Sequence, residues 1–181
     1  MKKTLITLAL LGAASLSQAA EGWKFLPIVN DPAYKMAPTV ALTVDRVDPK
    51  ESGASTLTNY GVEFNFNCAL IQDPNNRIRT ALKLHRGKED GVTATAFELS
   101  PRYMLPVGSG VSVGAGPSLV WLKLSDATDS QRLFGAGVAL AAEWRSGALF
   151  VGTDLRWHDL RQKNGVNGDH TSLGVKVGMN F

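Results

Sequence analysis

From residue 38 to its last residue, the chain alternates apolar and polar side chains in eight segments separated by clusters of Asp, Asn, Gly, Ser and Pro. The second segment shows this most clearly, because its apolar residues all fall at even positions: Tyr60, Val62, Phe64, Phe66, Cys68 and Leu70. A period of two puts alternate side chains on opposite faces of a strand, whereas a helix would mix them. The pattern therefore predicts eight β-strands, each with one apolar and one polar face.

Two fold classes contain such strands, and they differ in what covers the apolar face. A soluble β-sandwich buries that face in a core, whereas a membrane barrel turns it toward lipid. Three features favour the barrel: an even strand count, segments of roughly ten residues that suit a tilted crossing of the bilayer, and aromatic side chains near the ends of the apolar face. We therefore predict an all-β, closed, antiparallel, eight-stranded up-and-down transmembrane β-barrel over residues 38–181.

Bulk composition hides this prediction. Hydrophobic residues make up 44% of the chain and mean hydropathy is -0.03, because the two faces of a barrel strand cancel in any average. Without Lys2 and Lys3, 17 of the 19 basic residues remain against 16 acidic ones, which gives little support for nucleic-acid binding. Cys68 is the only cysteine, so no internal disulfide can form. No Cys/His spacing indicates a metal site, and no motif indicates a cofactor.

The N-terminus has the pattern of a secretory signal peptide. Lys2 and Lys3 precede an apolar run from Leu5 to Ala14, and small residues end at Ala19. That run is too short for a membrane anchor, which needs roughly 20 residues. We expect residues 1–19 to be cleaved during export, leaving a lead-in segment over 20–37. This segment could lie on the membrane surface, plug the barrel or be disordered, and we favour at least partial order.

Connection lengths fit a barrel whose N-terminus is periplasmic, since outer-membrane barrels have short periplasmic turns and longer outer loops. The outer loops are predicted near 46–57, 86–92, 124–131 and 159–170. The inner turns are predicted near 73–76, 106–110 and 146–147.

The final strand alternates through Val177, Met179 and Phe181, with the aromatic residue at the chain end. This ending resembles the C-terminal signature of bacterial outer-membrane proteins, and the eight-strand layout is similar to the small barrels of the OmpX type and the OmpA membrane domain. The resemblance implies localisation in the bacterial outer membrane and insertion by the barrel-assembly machinery, with these three residues as the assembly signal. It also implies outer-membrane lipid and lipopolysaccharide as partners of a monomer.

The polar face carries charges of both signs, which this fold would direct into the lumen. Eight strands enclose an interior just wide enough for side chains to fill. We therefore predict a buried charge network in a closed lumen, although a narrow path for protons or small ions is an alternative. The predicted network consists of Asp45, Glu63, Arg77, Arg79, Lys83, Glu98, Arg102, Glu143, Arg145, Asp154, Arg156 and Lys176.

An enzymatic alternative comes from barrels that modify lipid A by acyl transfer or deacylation, which need a His with a nucleophile near the outer interface. His170 and Ser172 would share one face of the last strand, and His158 is a further candidate. The deacylase pattern of His, then Ser two positions later, then Asn is incomplete, because Leu173 follows Ser172. We therefore expect no enzyme, and a structural or surface-interaction role.

Overall fold

The computed structural model describes residues 22–51, 53–127, 129–161 and 167–181, so the predicted signal peptide lies outside the described residues. Eight long strands form one sheet, in which each strand pairs antiparallel with its neighbours in the chain and the last pairs with the first. The predicted closed eight-stranded barrel is therefore confirmed. In chain order the strands are β1 (Thr39–Pro49), β2 (Leu57–Asn67), β3 (Ile78–Glu89), β4 (Val92–Gly108), β5 (Val111–Ser125), β6 (Ser130–Ser146), β7 (Leu149–Leu160) and β8 (His170–Asn180).

The middle of the barrel has an apolar exterior and a polar interior. Val44 on β1 lies opposite Tyr60 on β2 and Val175 on β8, and all three side chains are exposed. The adjacent inward positions carry buried Asp45 and Thr43. The wall thus has the reverse of the pattern of a water-soluble barrel. Its exposed apolar belt includes Val40, Leu42, Val62, Phe64, Leu84, Phe97, Val138, Leu140, Val151, Val177 and Met179.

We name the end of the barrel that carries the connections at 50–56, 90–91 and 126–129 the extracellular end, and the opposite end the periplasmic end, after the orientation predicted from the sequence. Toward the extracellular ends of β4 to β7, the arrangement of apolar and polar faces reverses. Inward residues there form a buried apolar cluster: Ala94, Ala96, Val120, Leu122, Leu133 and Leu160. The outward neighbours of Leu122 and Leu133 are exposed Lys123 and Arg132. A strand that leaves hydrocarbon and enters water needs its apolar side inside, so the reversal marks a change of medium along the wall. The sequence analysis did not predict this cluster, although adjacent apolar residues such as Trp121-Leu122 and Leu133-Phe134 mark the point where the apolar positions change face.

Several strands extend further than the sequence predicted. The loop expected at 86–92 is only Asp90 and Gly91, with φ of 47° and 79°, because a two-residue hairpin with positive φ at both positions matches the twist of the flanking strands. The other outer connections lie at 50–56, 126–129 and after Leu160, and the tight inner turns at 109–110 and 147–148.

The second segment ends earlier than predicted. β2 stops at Asn67, and residues 68–77 form a turn in which Cys68 is buried, with 4% exposure. The buried amide of Gln72 holds the turn together, because its Nε2 donates to the carbonyl oxygen of Ile78 at 2.7 Å. Cys68 therefore does not belong to the outward apolar face.

The described part of the lead-in segment, from residue 22, packs on this turn. Lys24–Phe25 pairs antiparallel with Ile71–Gln72, and a one-turn helix, α1 (Pro27–Asn30), follows. The Tyr34 hydroxyl donates to the carbonyl oxygen of Asn67 at 2.6 Å. These contacts place the segment against the turn at the periplasmic end. Val29 and Phe25 are exposed, so the segment does not plug the lumen. Among the described residues, no helix is long and apolar enough to cross a membrane.

Inward glycines set how closely adjacent strands approach, which gives a first prediction. A Cβ at Gly137 would overlap the carbonyl oxygen of Trp157 on β7, whereas a Cβ at Gly108 would meet nothing within 4 Å. We expect Gly137→Ala to lower the free energy of unfolding by about 1 to 3 kcal/mol, measured by urea unfolding in detergent micelles. The matched control, Gly108→Ala, should leave it unchanged or slightly higher. Equal values for the two variants would contradict this account.

Candidate functional site

The centre of the lumen contains an ion-pair network built from five strands, β2, β4, β6, β7 and β8. Arg102 Nη1 lies 2.7 Å from Asp154 Oδ1, and Arg156 Nη2 lies 2.8 Å from Asp154 Oδ2. Lys176 Nζ lies 2.6 Å from Glu63 Oε1 and 3.2 Å from Glu143 Oε1. These side chains are at most 2% exposed. Each charge therefore has an opposite charge in place of the water that it lost.

Further pairs extend the network toward both ends of the barrel. Toward the extracellular end, Glu98 Oε2 lies 2.9 Å from Arg156 Nη1, and Lys83 contacts Asp45 directly. Toward the periplasmic end, Arg145 Nη2 lies 2.7 Å from Glu143 Oε2 and is partly exposed. Removing one partner of such a buried set typically costs about 3 to 5 kcal/mol, because the other charge is left uncompensated.

Glycines on the inward face leave the volume that these long side chains occupy. A Cβ at Gly174 would overlap the carboxylate of Asp45, and one at Gly152 would lie 2.7 Å from Lys176 Cε. The Gly-rich inward face of β5 to β8 is thus complementary to the charged residues of its neighbours. In this part of the lumen, charged side chains take up the room that glycine leaves.

The structure places most of the predicted network residues in this assembly, with two corrections. Arg77 precedes β3 and belongs to the periplasmic turn, where its backbone N–H donates to Asp73 Oδ1 at 2.5 Å. Arg79 faces the lumen end but binds amide oxygens, with Nε 2.8 Å from Asn65 Oδ1. Neither guanidinium has a carboxylate within 4 Å among the described residues, so the predicted ion pairs of these two arginines are wrong.

Above the network, a cluster of polar side chains joins β5, β7 and β8. His158 Nε2 lies 2.9 Å from Ser118 Oγ, and His158 Nδ1 lies 3.2 Å from His170 Nε2. Ser172 is buried opposite Arg156 on the neighbouring strand, so the serine in contact with a histidine is Ser118. Ser118 is 0% exposed and faces the lumen. This histidine–serine contact therefore has no access to an acyl chain in the surrounding lipid.

The sequence analysis missed Ser118. It placed His85 on the polar face but did not include it in the network, in which His85 Nε2 lies 3.1 Å from Glu98 Oε1. The inward direction of Ser118 could have been predicted, since it follows the inward Gly114 and Gly116 at steps of two along the strand. The contact of Ser118 with His158 had no such signal, because 40 positions separate the two residues and their strands do not pair directly.

The extracellular end of the lumen is an open vestibule of about 440 Å³. Its walls are largely apolar and include Val47, Leu57, Leu122 and Leu124. His85, Asn59 and His170 line its inner end, and the lining toward the loops carries carboxylates: Glu51, Glu89, Asp90, Asp126 and Asp129. The lumen is therefore open at the vestibule and filled by charged side chains in the middle of the barrel.

No protein-family model matches this sequence, and no curated protein matches it. Solved structures do share its fold. Neisserial surface protein A superposes with a TM-score of 0.57 at 15% identity, covering 80% of this chain and 95% of that one. The N-terminal β-barrel domain of OprF from Pseudomonas aeruginosa gives 0.52 at 15% identity, covering 81% and 100%. The resemblance predicted from the sequence is confirmed at the level of fold: the chain has the closed eight-stranded architecture of the small outer-membrane β-barrels.

Proposed function

We propose that this chain is a monomeric outer-membrane β-barrel with a structural and surface-interaction role, a closed lumen, and lipopolysaccharide as its lipid partner. The supporting observation is the pairing of an exposed apolar belt with a lumen in which buried charges neutralise one another. Exposed apolar side chains on this scale indicate a lipid environment. A lumen filled by paired side chains leaves no continuous path for ions.

A set of outward basic residues supports the choice of lipid partner. Arg86 on β3, Lys123 on β5 and Arg132 on β6 lie in one row around the barrel, with Thr95 of β4 between Arg86 and Lys123. We call these three basic residues the basic stripe. One step closer to the membrane, the same strands carry Leu84, Phe97, Trp121 and Phe134. Trp121 contacts both phenylalanines, with ring centroids 5.6 and 5.2 Å apart. Aromatic rings of this kind lie at the bilayer interface, so the basic stripe lies at headgroup height.

The basic stripe has no anionic partner within the part of the chain that the structure describes. Lys123 and Arg132 lie directly opposite each other on β5 and β6. Among the described residues, no carboxylate forms an ion pair with either of them. Like charges in opposite positions destabilise a sheet. A phosphate group between them would remove the repulsion and accept charge-assisted hydrogen bonds from both. Lipid A supplies phosphates at this height in the outer leaflet, and the neighbouring apolar belt would contact its acyl chains.

Membrane fractionation followed by electrophoresis tests the membrane placement. We expect the expressed full-length chain to fractionate with the outer membrane and, in detergent, to migrate faster unheated than heated, because a closed barrel resists unfolding by detergent alone. A protein that remains monomeric and folded in buffer without detergent would contradict the proposal.

Planar-bilayer recordings test the closed lumen. The purified protein should give no discrete conductance steps, because ion pairs such as Arg102 with Asp154 fill the cross-section. A general porin, reconstituted in the same bilayers, serves as the positive control. Reproducible steps from the wild-type protein would support the narrow-channel alternative instead.

Charge reversal tests the basic stripe. We expect Lys123→Glu with Arg132→Glu to weaken binding of lipid A in micelles at least tenfold, since a charged hydrogen bond contributes about 1.5 to 3 kcal/mol. The matched control is Arg46→Glu, which should bind lipid A as the wild type does. Arg46 is also outward and exposed, but it already has an anionic partner, because its Nε lies 3.6 Å from Asp48 Oδ1.

Dephosphorylated lipid A separates the headgroup contribution from that of the acyl chains. The wild-type protein should bind it as weakly as the double variant does. If the wild type, the double variant and the Arg46→Glu control bind lipid A equally, the basic stripe is not a phosphate site and the lipopolysaccharide assignment fails.

A further inference from the structure

Three potential metal ligands from three different strands converge beneath the vestibule. They are Glu98 of β4, His158 of β7 and His170 of β8, and one donor atom from each lies within 4.8 Å of the other two. All three side chains are buried. The sequence analysis did not group these residues, because Glu98 and His158 are 60 positions apart along the chain.

Hydrogen bonds fix how His170 presents its ring. Its Nδ1 lies 2.8 Å from the backbone carbonyl oxygen of Gly168, which can only accept, so Nδ1 carries a proton. In the neutral ring Nε2 then presents a lone pair. That lone pair faces His158 Nδ1 across 3.2 Å.

His158 can adopt the complementary arrangement. Without a metal ion, its Nδ1–H donates to His170 Nε2 across 3.2 Å. A bound cation would replace that proton. His158 Nε2–H would then donate to the hydroxyl oxygen of Ser118, which lies 2.9 Å away, and Nδ1 would present its lone pair to the ion. Metal-binding histidines are usually fixed in this way, through a hydrogen bond from the ring nitrogen that does not bind the metal. Two nitrogens bound at 2.0 to 2.1 Å to a tetrahedral ion lie about 3.3 Å apart, which is close to the separation found here.

Glu98 supplies a third, anionic ligand with its own support. His85 Nε2 lies 3.1 Å from Oε1, and Arg156 Nη1 lies 2.9 Å from Oε2. These contacts hold the carboxylate in one orientation, while Arg156 is itself balanced by Asp154 and Glu63. Two imidazoles with one carboxylate suit Zn²⁺ and its transition-metal neighbours, in contrast to the all-oxygen sites of Mg²⁺ and Ca²⁺.

The vestibule gives this group a route to the exterior. His170 lines its inner end, and the five carboxylates named above lie along its walls toward the loops. No lysine or arginine is among the described residues that line it. A cleft lined by one sign of charge concentrates ions of the other sign, so cations would be enriched directly above the ligands.

We propose that Glu98, His158 and His170 form a binding site for one divalent transition-metal ion of the Zn²⁺ class, which enters through the acidic vestibule. The site is independent of the proposed lipid contact, because its residues face the lumen and the basic stripe faces outward.

Titration of the full mature chain, folded in detergent and stripped with a chelator, tests the site with Zn²⁺ and Co²⁺ as probes. We expect one equivalent of Zn²⁺ by calorimetry, and a Co²⁺ visible spectrum typical of four-coordinate nitrogen and oxygen ligation. Imidazole nitrogen NMR of the wild type should show Zn²⁺-dependent shifts at His158 Nδ1 and His170 Nε2, with a smaller change at His85. This measurement needs no variant, so it holds even if a substitution prevents folding.

Variants then locate the ion. His170→Gln should weaken Zn²⁺ binding by at least about 100-fold, since even residues behind the ligands change metal affinity 10- to 100-fold. Ser172→Ala, on the same inward face of β8, is the matched control and should bind as the wild type does. Glu89→Gln with Asp129→Asn should slow metal uptake but preserve the Co²⁺ spectrum. Heat-dependent gel mobility verifies that each variant is folded.

Either of two results would overturn the proposal. One is a wild-type protein that binds neither probe and whose imidazole resonances do not respond. The other is a folded His170→Gln variant with wild-type affinity, combined with loss of binding in the Glu89 and Asp129 variant, which would assign the ion to the vestibule carboxylates.

Discussion

Closure of the strand ladder is the constraint on which the rest of this structure depends. Because β8 pairs with β1 along its whole length, from His170 with Pro49 to Asn180 with Thr39, the sheet has no edge. Backbone groups in hydrocarbon have no other partners, so closure is what allows the wall to face lipid. It also forces alternate side chains into a narrow interior, where every charge needs an opposite charge or a hydrogen bond.

Along a single strand, the type of residue on the outward face changes from apolar to basic. On β5, Leu119 and Trp121 face outward while Ser118 faces the lumen; two steps further, Leu122 faces inward and Lys123 outward. The backbone is the same in both parts, and only the apolar side changes. The basic stripe and the vestibule therefore lie at the same height of the barrel: outward positions carry basic side chains there, and inward apolar side chains enclose an open vestibule.

The sequence predicted the strand number, the faces and most inward charges, because a period of two can be read directly. Strand ends were less predictable: outward residues such as Arg86 are polar beyond the apolar belt, so they resemble loop residues although the ladder continues. Contacts across the lumen were not predictable, since Lys176 and Glu63 are 113 positions apart and only barrel curvature brings them together. Arg77 and Arg79 were misplaced for a related reason. Whether a residue number is odd or even indicates which face of the strand the residue lies on, but not how far along the barrel axis the strand begins.

Burial of the Cys68 thiol makes its accessibility differ between the unfolded and the folded chain. In the unfolded polypeptide, the single cysteine has no internal partner and is open to oxidation or to mixed disulfides with other proteins. In the native fold, the turn after β2 covers it, and its backbone N–H donates to the carbonyl oxygen of Ile78 at 2.8 Å. Completion of the periplasmic end thus removes the chain's one reactive sulfur from solution, and a thiol-specific reagent would distinguish finished from unfinished molecules.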